Sequence, residues 1–154
     1  MSRFGWLAIA VLLVATLQAG SPAHAAKCDF TAGNISFGTY DLLTSQPTLT
    51  SGTISVVCNP AVPTPVTISL SAGQSGNFAA RAMSAGGSDR LYYNIFIDSS
   101  RSTVLGDGNG GSQRLFMNVD KNTPWIVPFY ASVPPGQDVT PGQYSDLLTL
   151  TVDF

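Results

Sequence analysis

Residues 148–154 read LTLTVDF, and apolar side chains occupy every second position of this stretch. A period of two is the pattern of a β-strand that buries one face. The same alternation occurs at residues 53–58, 66–71 and 91–97. No long stretch of the chain shows the apolar spacing of three to four positions that an amphipathic helix needs. Short strands separated by glycine- and proline-rich turns therefore predict an all-β sandwich or barrel.

Prolines indicate where the ladders of hydrogen bonds are interrupted. Residues 59–65 read NPAVPTP and predict a loop, because proline has no N–H to donate to a central strand ladder. Residues 125–130 read WIVPFY and are densely apolar, which predicts a core strand. Pro128 within this stretch predicts an edge position or a bulge.

Five further side chains have an expected environment. Trp125 and Tyr130 are predicted to pack in the core, and a carbohydrate-binding surface is the competing interpretation. Met83 is predicted to be buried, with Arg81 as a solvated neighbour. Tyr144 follows a Pro-Gly turn and precedes the last strand, as do the corner tyrosines whose hydroxyl pins a loop in Greek-key sandwiches.

The N-terminus has the three parts of a secretory signal peptide. An arginine precedes residues 5–17, which are almost wholly apolar, and Ala23 and Ala25 place small side chains at the cleavage site. The apolar run is shorter than the ~20 residues of a membrane-spanning helix. We predict a signal peptide at residues 1–25, export through the Sec pathway and a mature domain at residues 26–154. An uncleaved N-terminal anchor and cleavage one residue later are the alternatives.

The composition of the mature domain disfavours several function classes. The chain has no glutamate, and its one histidine, His24, is removed with the signal peptide. Nine aspartates stand against six lysines and arginines once Arg3 is removed, so a nucleic-acid partner, which needs a basic surface, is not expected. Serine or cysteine nucleophiles lack a histidine base, and the aspartates show no catalytic spacing. We predict a protein that is not an enzyme and uses no cofactor.

Cys28 and Cys58 are separated by 30 residues and are the two cysteines of the chain. In an exported protein an even number of cysteines predicts a disulfide. A redox pair is disfavoured because the C-x-x-C spacing is absent. A metal site is disfavoured because two thiols have no histidine to complete the ligand set.

The glycine-rich stretch at residues 106–111 reads GDGNGG and predicts a flexible turn. A calcium loop and a surface-contact loop are the alternatives. Calcium is disfavoured because the stretch has one carboxylate and no distal glutamate.

The two ends of the mature domain leave no spare strand. Cys28 is its third residue, and the apolar alternation continues to the last residue. An apolar strand edge without a partner favours association with another chain. The candidates for the core face of the last strand, and for the wall of a strand-accepting groove, are Leu148, Leu150, Val152 and Phe154.

Seven stretches, in this order along the chain, carry a resemblance to a known family. They are ISFGTY at 35–40, GTISVVC at 52–58, VTISLSAG at 66–73, RAM at 81–83, LYYNIFID at 91–98, GDG at 106–108 and PGQYSD at 141–146. Together with the paired cysteines they resemble the spore coat protein U family, whose members include the subunits of archaic chaperone–usher pili.

The resemblance implies an incomplete immunoglobulin-like sandwich that lacks its last strand. A periplasmic chaperone, and then the N-terminal extension of a neighbouring subunit, would fill the groove by strand addition. It also implies an outer-membrane usher, assembly into a surface fibre, and a role in attachment, biofilm growth or a spore-coat-like layer.

One feature departs from the polymerising pattern. Only Ala26 and Lys27 precede Cys28 in the mature domain, so we expect a subunit that accepts a strand without donating one. Such a subunit suits the tip of a fibre, and a family member that does not polymerise is the alternative. A free-standing secreted module that binds carbohydrate or protein is the alternative function.

Overall fold

The computed structural model describes residues 27–60 and 63–154. The predicted signal peptide, residues 1–25, lies outside the described residues. The described chain forms strands and one short 3-10 turn, Gly73–Ser75. The strands are β1 (Cys28–Ala32), β2 (Thr48–Cys58), β3 (Thr64–Leu70), β4 (Arg81–Met83), β5 (Leu91–Phe96), β6 (Leu115–Val119), β7 (Trp125–Val133) and β8 (Leu150–Asp153).

The strands form two sheets that enclose one core. The larger sheet has the order β1-β2-β7-β5-β4 and the smaller sheet the order β6-β3-β8. Neighbouring strands in both sheets are antiparallel. Side chains from both sheets are fully or almost fully buried between them, among them Ile54, Val56, Val66, Ile68, Ile95 and Phe129. The predicted all-β sandwich is confirmed.

Each stretch that alternates in the sequence contributes a strand. Residues 53–58 form the second half of β2, and residues 66–71 and 91–97 lie in β3 and β5 apart from their last residues. The last stretch is shorter than predicted, because β8 begins at Leu150 and ends at Asp153. Thr149 still accepts a backbone hydrogen bond from Ser71, in register with the ladder of β8 on β3. Further back, Ser145 pairs with Ser84 next to the larger sheet.

Two prolines lie inside strands that have a neighbour on each side. Pro65 belongs to β3, so the loop predicted for residues 59–65 is wrong at its last two positions. Pro128 belongs to β7, a central strand of the larger sheet, although an edge or a bulge was expected. Both are tolerated because the second neighbour stops short of them. The β8 ladder on β3 extends only from Thr67 onwards, and the β5 ladder on β7 reaches only Tyr130.

The segment before β8 closes one side of the sandwich. Ser145 exchanges two backbone hydrogen bonds with Ser84, directly after β4 in the larger sheet. Four residues later, the carbonyl of Thr149 accepts a 2.9 Å hydrogen bond from the N–H of Ser71, at the end of β3 in the smaller sheet. The C-terminal segment thus connects β4 with β3. The opening of the sandwich lies between this segment and the residues that follow β1.

The predicted disulfide joins the first residue of β1 to the last residue of β2. Cys28 and Cys58 lie opposite each other in the ladder, with a Cα–Cα distance of 4.0 Å. β1 is an edge strand that pairs only with β2 among the described residues. The disulfide therefore fixes one end of this edge strand, and a closed loop of this size stabilises the fold by about 3–4 kcal/mol.

Arg81 is buried, and the expectation of a solvated side chain is wrong. Its guanidinium donates to the carbonyls of Ser71 and Leu105 at 2.8 and 2.7 Å and to Oδ1 of Asn94 at 2.7 Å, and it lies 5.2 Å from the ring centre of Phe78. Desolvation lowers the pKa of Arg81 from its usual value. A buried cation is retained here because carbonyl oxygens of two segments satisfy its N–H groups. Met83 is buried, as predicted.

Candidate functional site

The opening between the sheets leads into a cavity of about 450 Å³. One wall is formed by residues 144–150, and the opposite wall is formed by residues that follow β1. The floor consists of inward-facing side chains of the larger sheet, and the smaller sheet contributes Leu70. The floor side chains are Ile54, Tyr93, Ile95 and Phe129. The cavity is a gap in the hydrophobic core that opens to solvent along one side.

The edge of β8 presents unpaired backbone groups to this opening. Thr149 directs both its N–H and its C=O toward Ser71 of the neighbouring segment. Backbone groups alternate in direction along an antiparallel strand, so the N–H and C=O groups of Leu148, Leu150 and Val152 point away from β3. Among the described residues, no strand pairs with that edge. The same three residues turn half-buried side chains toward the core.

The four predicted groove residues fall into two groups. Leu148 and Leu150 line the cavity, as the prediction requires. Val152 is half-buried against the core but does not line the cavity, and Phe154 follows β8 with 54% of its surface exposed. The structure thus brings Leu148 and Leu150 together at the opening. Val152 and Phe154 lie further along the same edge.

Residues 34–40, which include part of the opposite wall, belong to no strand and are held by side chains. Ile35 and Phe37 are half-buried while the residues next to them are exposed, so both side chains point inward. No backbone hydrogen bond joins residues 34–39 to any other described residue. The ring of Phe37 packs edge-on against Tyr93, with the ring centres 5.8 Å apart. Tyr40 ends the segment, donating to the carbonyl of Pro134 and accepting from the N–H of Gln137.

Asp146 fixes the C-terminal wall to the rest of the fold. Its Oδ2 accepts a 2.8 Å hydrogen bond from the hydroxyl of Tyr93, and its Oδ1 accepts from the backbone N–H groups of Gln74 and Leu147. Burial and the hydrogen bond to Asp146 raise the pKa of Tyr93 well above its usual value. Gly73 makes this contact possible, because a Cβ at that position would lie 2.0 Å from Oδ2 of Asp146.

Tyr144 pins the loop before the C-terminal wall, as predicted for a corner tyrosine. Its hydroxyl donates to the carbonyl of Thr140 at 2.9 Å. The N–H and hydroxyl of Thr140 donate in turn to Oδ2 of Asp89, and these hydrogen bonds lower the pKa of Asp89. The Tyr144 hydroxyl therefore joins the two ends of the loop of residues 140–144, and Asp89 holds the Thr140 end.

Comparison with known proteins agrees with this architecture. The Spore Coat Protein U domain family matches residues 13–151. The chain belongs to this family. "Protein U" of Myxococcus xanthus is 29% identical in an alignment 173 positions long that covers 94% of this chain and 95% of that protein.

A solved structure extends the comparison to the fold. A chain in the crystal structure of the CsuC–CsuE chaperone–tip adhesion subunit pre-assembly complex, from archaic chaperone–usher Csu pili of Acinetobacter baumannii, matches with a TM-score of 0.60 and 27% identity. The match covers 84% of this chain but only 40% of that chain. The predicted family and the immunoglobulin-like sandwich are thereby confirmed for this spore coat protein U domain.

In this spore coat protein U domain a second cavity, of about 810 Å³, adjoins the first. Its walls are residues 35–42 and 139–145, and its floor includes Leu91 and Val133 of the larger sheet. Five residues line both cavities: Ile35, Phe37, Met83, Tyr144 and Ser145. The two cavities are therefore neighbours, and we call them the inner and the outer cavity and the pair of them the groove.

Residues singled out for other chemistry lie away from this groove. The loop of residues 106–111 is a turn in which Asp107 accepts a hydrogen bond from the N–H of Asn109. Trp125 is half-buried against the core. Tyr130 lies between the buried residues Phe129 and Ala131 of β7 and therefore points to the outer face, so its predicted core packing is wrong. It is half-buried, and the guanidinium of Arg101 lies 5.8 Å from its ring centre. Within residues 27–60 and 63–154, no three acidic, cysteine or histidine side chains are grouped as metal ligands, and no helix is long and apolar enough to cross a membrane.

The sequence alone did not reveal the floor of the groove or its second wall. Alternation along β2, β5 and β7 could show that Ile54, Tyr93 and Phe129 point inward. It could not show that they face a gap, because that depends on which strand lies opposite. The alternation of Ile35 and Phe37 was the available signal for the second wall, but it is only two residues long.

Proposed function

We propose that this protein is a secreted structural and adhesive subunit of a chaperone–usher-type surface fibre, and that its groove accepts a β-strand from another protein. The observation that carries the proposal is the unpaired edge of β8 beside an open apolar cavity. Membership of the spore coat protein U domain family and the likeness to a chain of the Csu complex support the same function.

A strand laid along β8 gains two kinds of interaction. Its backbone pairs with the free N–H and C=O groups of Leu148, Leu150 and Val152, at about 0.5–1.5 kcal/mol for each hydrogen bond. Its alternate side chains enter the inner cavity, where a fully buried Val or Leu gains about 1.5–3 kcal/mol. The cost of ordering the incoming segment reduces this sum. The groove therefore selects a segment that alternates apolar and polar residues.

The partners follow from this mode of binding. In the periplasm a chaperone would supply the strand first, and at the outer-membrane usher a neighbouring subunit would replace it. Removal of residues 1–25 after Sec export would leave only Ala26 and Lys27 before β1. In that case the subunit accepts a strand without donating one, which suits the tip of a fibre or a spore-coat-like layer.

No catalytic role is part of the proposal. The titratable groups that line the inner cavity are Tyr93, Tyr144 and Asp146. Tyr93 donates to Asp146, and Tyr144 donates to the carbonyl of Thr140. None of the three is paired with a nucleophile in the arrangement that acid–base or covalent catalysis needs.

The test is the response of the exported protein to a strand peptide. The protein is purified from the periplasm, its N-terminus is determined, and its thermal unfolding and size are measured with and without a peptide of alternating Val and Thr. We expect a marginally stable or self-associating protein that the peptide converts into a stable monomer. A stable monomer that ignores the peptide would instead favour the free-standing binding module.

A pair of variants shows where the peptide binds. Leu150→Ser removes an inward-facing side chain from the groove, whereas Thr151→Ser changes the exposed neighbour on the same strand. The first variant should lose most of the peptide's stabilisation and the second should keep it. Equal responses would place the peptide elsewhere on the protein.

A further inference from the structure

We propose that the groove is divided into two chemically different halves, and that its ligand is one strand with an apolar half followed by an uncharged polar half. The inference rests on the proposed function, because it specifies the partner of the same groove. The apolar half lies along β8 in the inner cavity, and the polar half lies in the outer cavity.

The walls of the groove keep one direction through both cavities. The inner cavity lies between residues 32–37 and 144–150, and the outer cavity lies between residues 35–42 and 139–145. One wall therefore runs up the chain while the other runs down. We infer that a strand paired with β8 extends past Leu148 between these walls into the outer cavity.

The two halves differ in the side chains that surround the ligand. The inner cavity is lined mainly by aliphatic and aromatic groups from the core. The outer cavity adds hydroxyl and amide groups, from Ser36, Thr39, Tyr40, Thr140 and Gln143. The hydroxyls of Tyr40 and Thr140 are already hydrogen-bonded within the domain. Ser36, Thr39 and Gln143 can donate to and accept from serine, threonine or asparagine side chains of a ligand.

The outer cavity has no charged lining residue that could pair with a charged side chain of the ligand. No Lys, Arg, Asp or Glu is among the residues that line it. A charged ligand side chain placed there would find no opposite charge among these lining residues, whereas an uncharged polar side chain would find hydrogen-bond partners. The outer cavity therefore discriminates between partner segments that are equally apolar in their first half.

Three capped synthetic peptides test the division. The first has about seven residues of alternating Val and Thr, enough to follow residues 148–154 at ~3.3 Å per residue. The second adds about five Ser, Thr and Asn residues, and the third adds Lys and Asp residues instead. The two longer peptides are also made with their halves in reverse order, because a strand can add in either direction.

Binding to the exported protein is measured by calorimetry. We expect the polar extension, in one of the two orders, to tighten binding at least tenfold, equivalent to about 1.4 kcal/mol. The charged extension should give no gain. If the short and the polar-extended peptides bind equally, the division is refuted while strand acceptance stands. If no peptide binds, both proposals fail.

A matched pair of variants assigns the effect to the outer cavity. Thr39→Lys places a charge among residues that line the outer cavity, whereas Thr31→Lys makes the same change on β1 outside both cavities. Both threonines are exposed, so both variants should fold. Thr39→Lys should reduce binding of the polar-extended peptide to that of the short one and leave the short peptide unaffected. A loss of similar size in Thr31→Lys would contradict the assignment.

Discussion

Replacing Tyr93 with phenylalanine removes one hydroxyl from the groove and should loosen its C-terminal wall. The hydroxyl is the donor of a 2.8 Å hydrogen bond to Oδ2 of Asp146, and Tyr93 is only 4% exposed. A hydrogen bond to a charged group contributes about 1.5–3 kcal/mol. Asp146 keeps its two backbone donors and is partly accessible to water, which places the expected loss near the lower end, at about 1.5–2 kcal/mol. The ring remains, so its contact with Phe37 is preserved.

Thermal unfolding of the exported protein measures this loss. For a domain of this length, 1 kcal/mol corresponds to roughly 4 °C in Tm, so Tyr93→Phe should unfold about 6–8 °C lower. Tyr92→Phe is the matched control, because Tyr92 is the next residue on the same strand and is 48% exposed. Its Tm should change by less than about 2 °C. Equal shifts in the two variants would show that the bond to Asp146 does not anchor the wall.

Three further predictions concern the same region. The pKa of Tyr93 is raised in the folded state. At pH values above 10.0, the usual pKa, the folded protein therefore keeps the phenolic proton that the unfolded chain releases. Stability from this group is therefore lost as the pH rises above 10, and the difference in stability between the protein and Tyr93→Phe should narrow in urea titrations at pH 10.5. Gly73→Ala should cost clearly more than Gly76→Ala in urea unfolding, since both glycines have positive φ but only the first would place a Cβ against Asp146. Arg81→Met leaves carbonyl acceptors buried without donors and should cost roughly 3 kcal/mol or more, so a midpoint of urea unfolding close to that of the unchanged protein would contradict the assigned role of Arg81.

The alternation of apolar and polar residues was enough to identify a strand that has one buried face along its whole length. β5 is the clearest case, because Leu91, Tyr93 and Ile95 are buried while Tyr92 is exposed. Neither β1 nor β6 could be found in this way. Both are edge strands, and most of their residues are exposed on both faces. Alternation is lost where the opposite sheet does not cover the inward face.

Arg81 shows a different limit of the sequence. A lone arginine beside core residues is usually solvated, because its charge is costly to bury. Its acceptors come from Ser71, Asn94 and Leu105, which lie 10, 13 and 24 residues away in the chain. No local pattern connects these positions. The buried arginine becomes predictable only when Ser71, Asn94 and Leu105 are known to lie around its side chain.

At two phenylalanines the strand pattern places the side chain on the inward face, yet the side chain is exposed. Phe30 lies opposite Val56 in the β1–β2 ladder, and since paired residues share a face, its side chain points toward the core. It is nevertheless 52% exposed, while Val56 is completely buried. Phe154 continues the inward positions of β8 and is 54% exposed. A complete sandwich would cover both rings. Their exposure on the two strands that border the opening is the result expected if the core of this domain is completed by a strand from another chain.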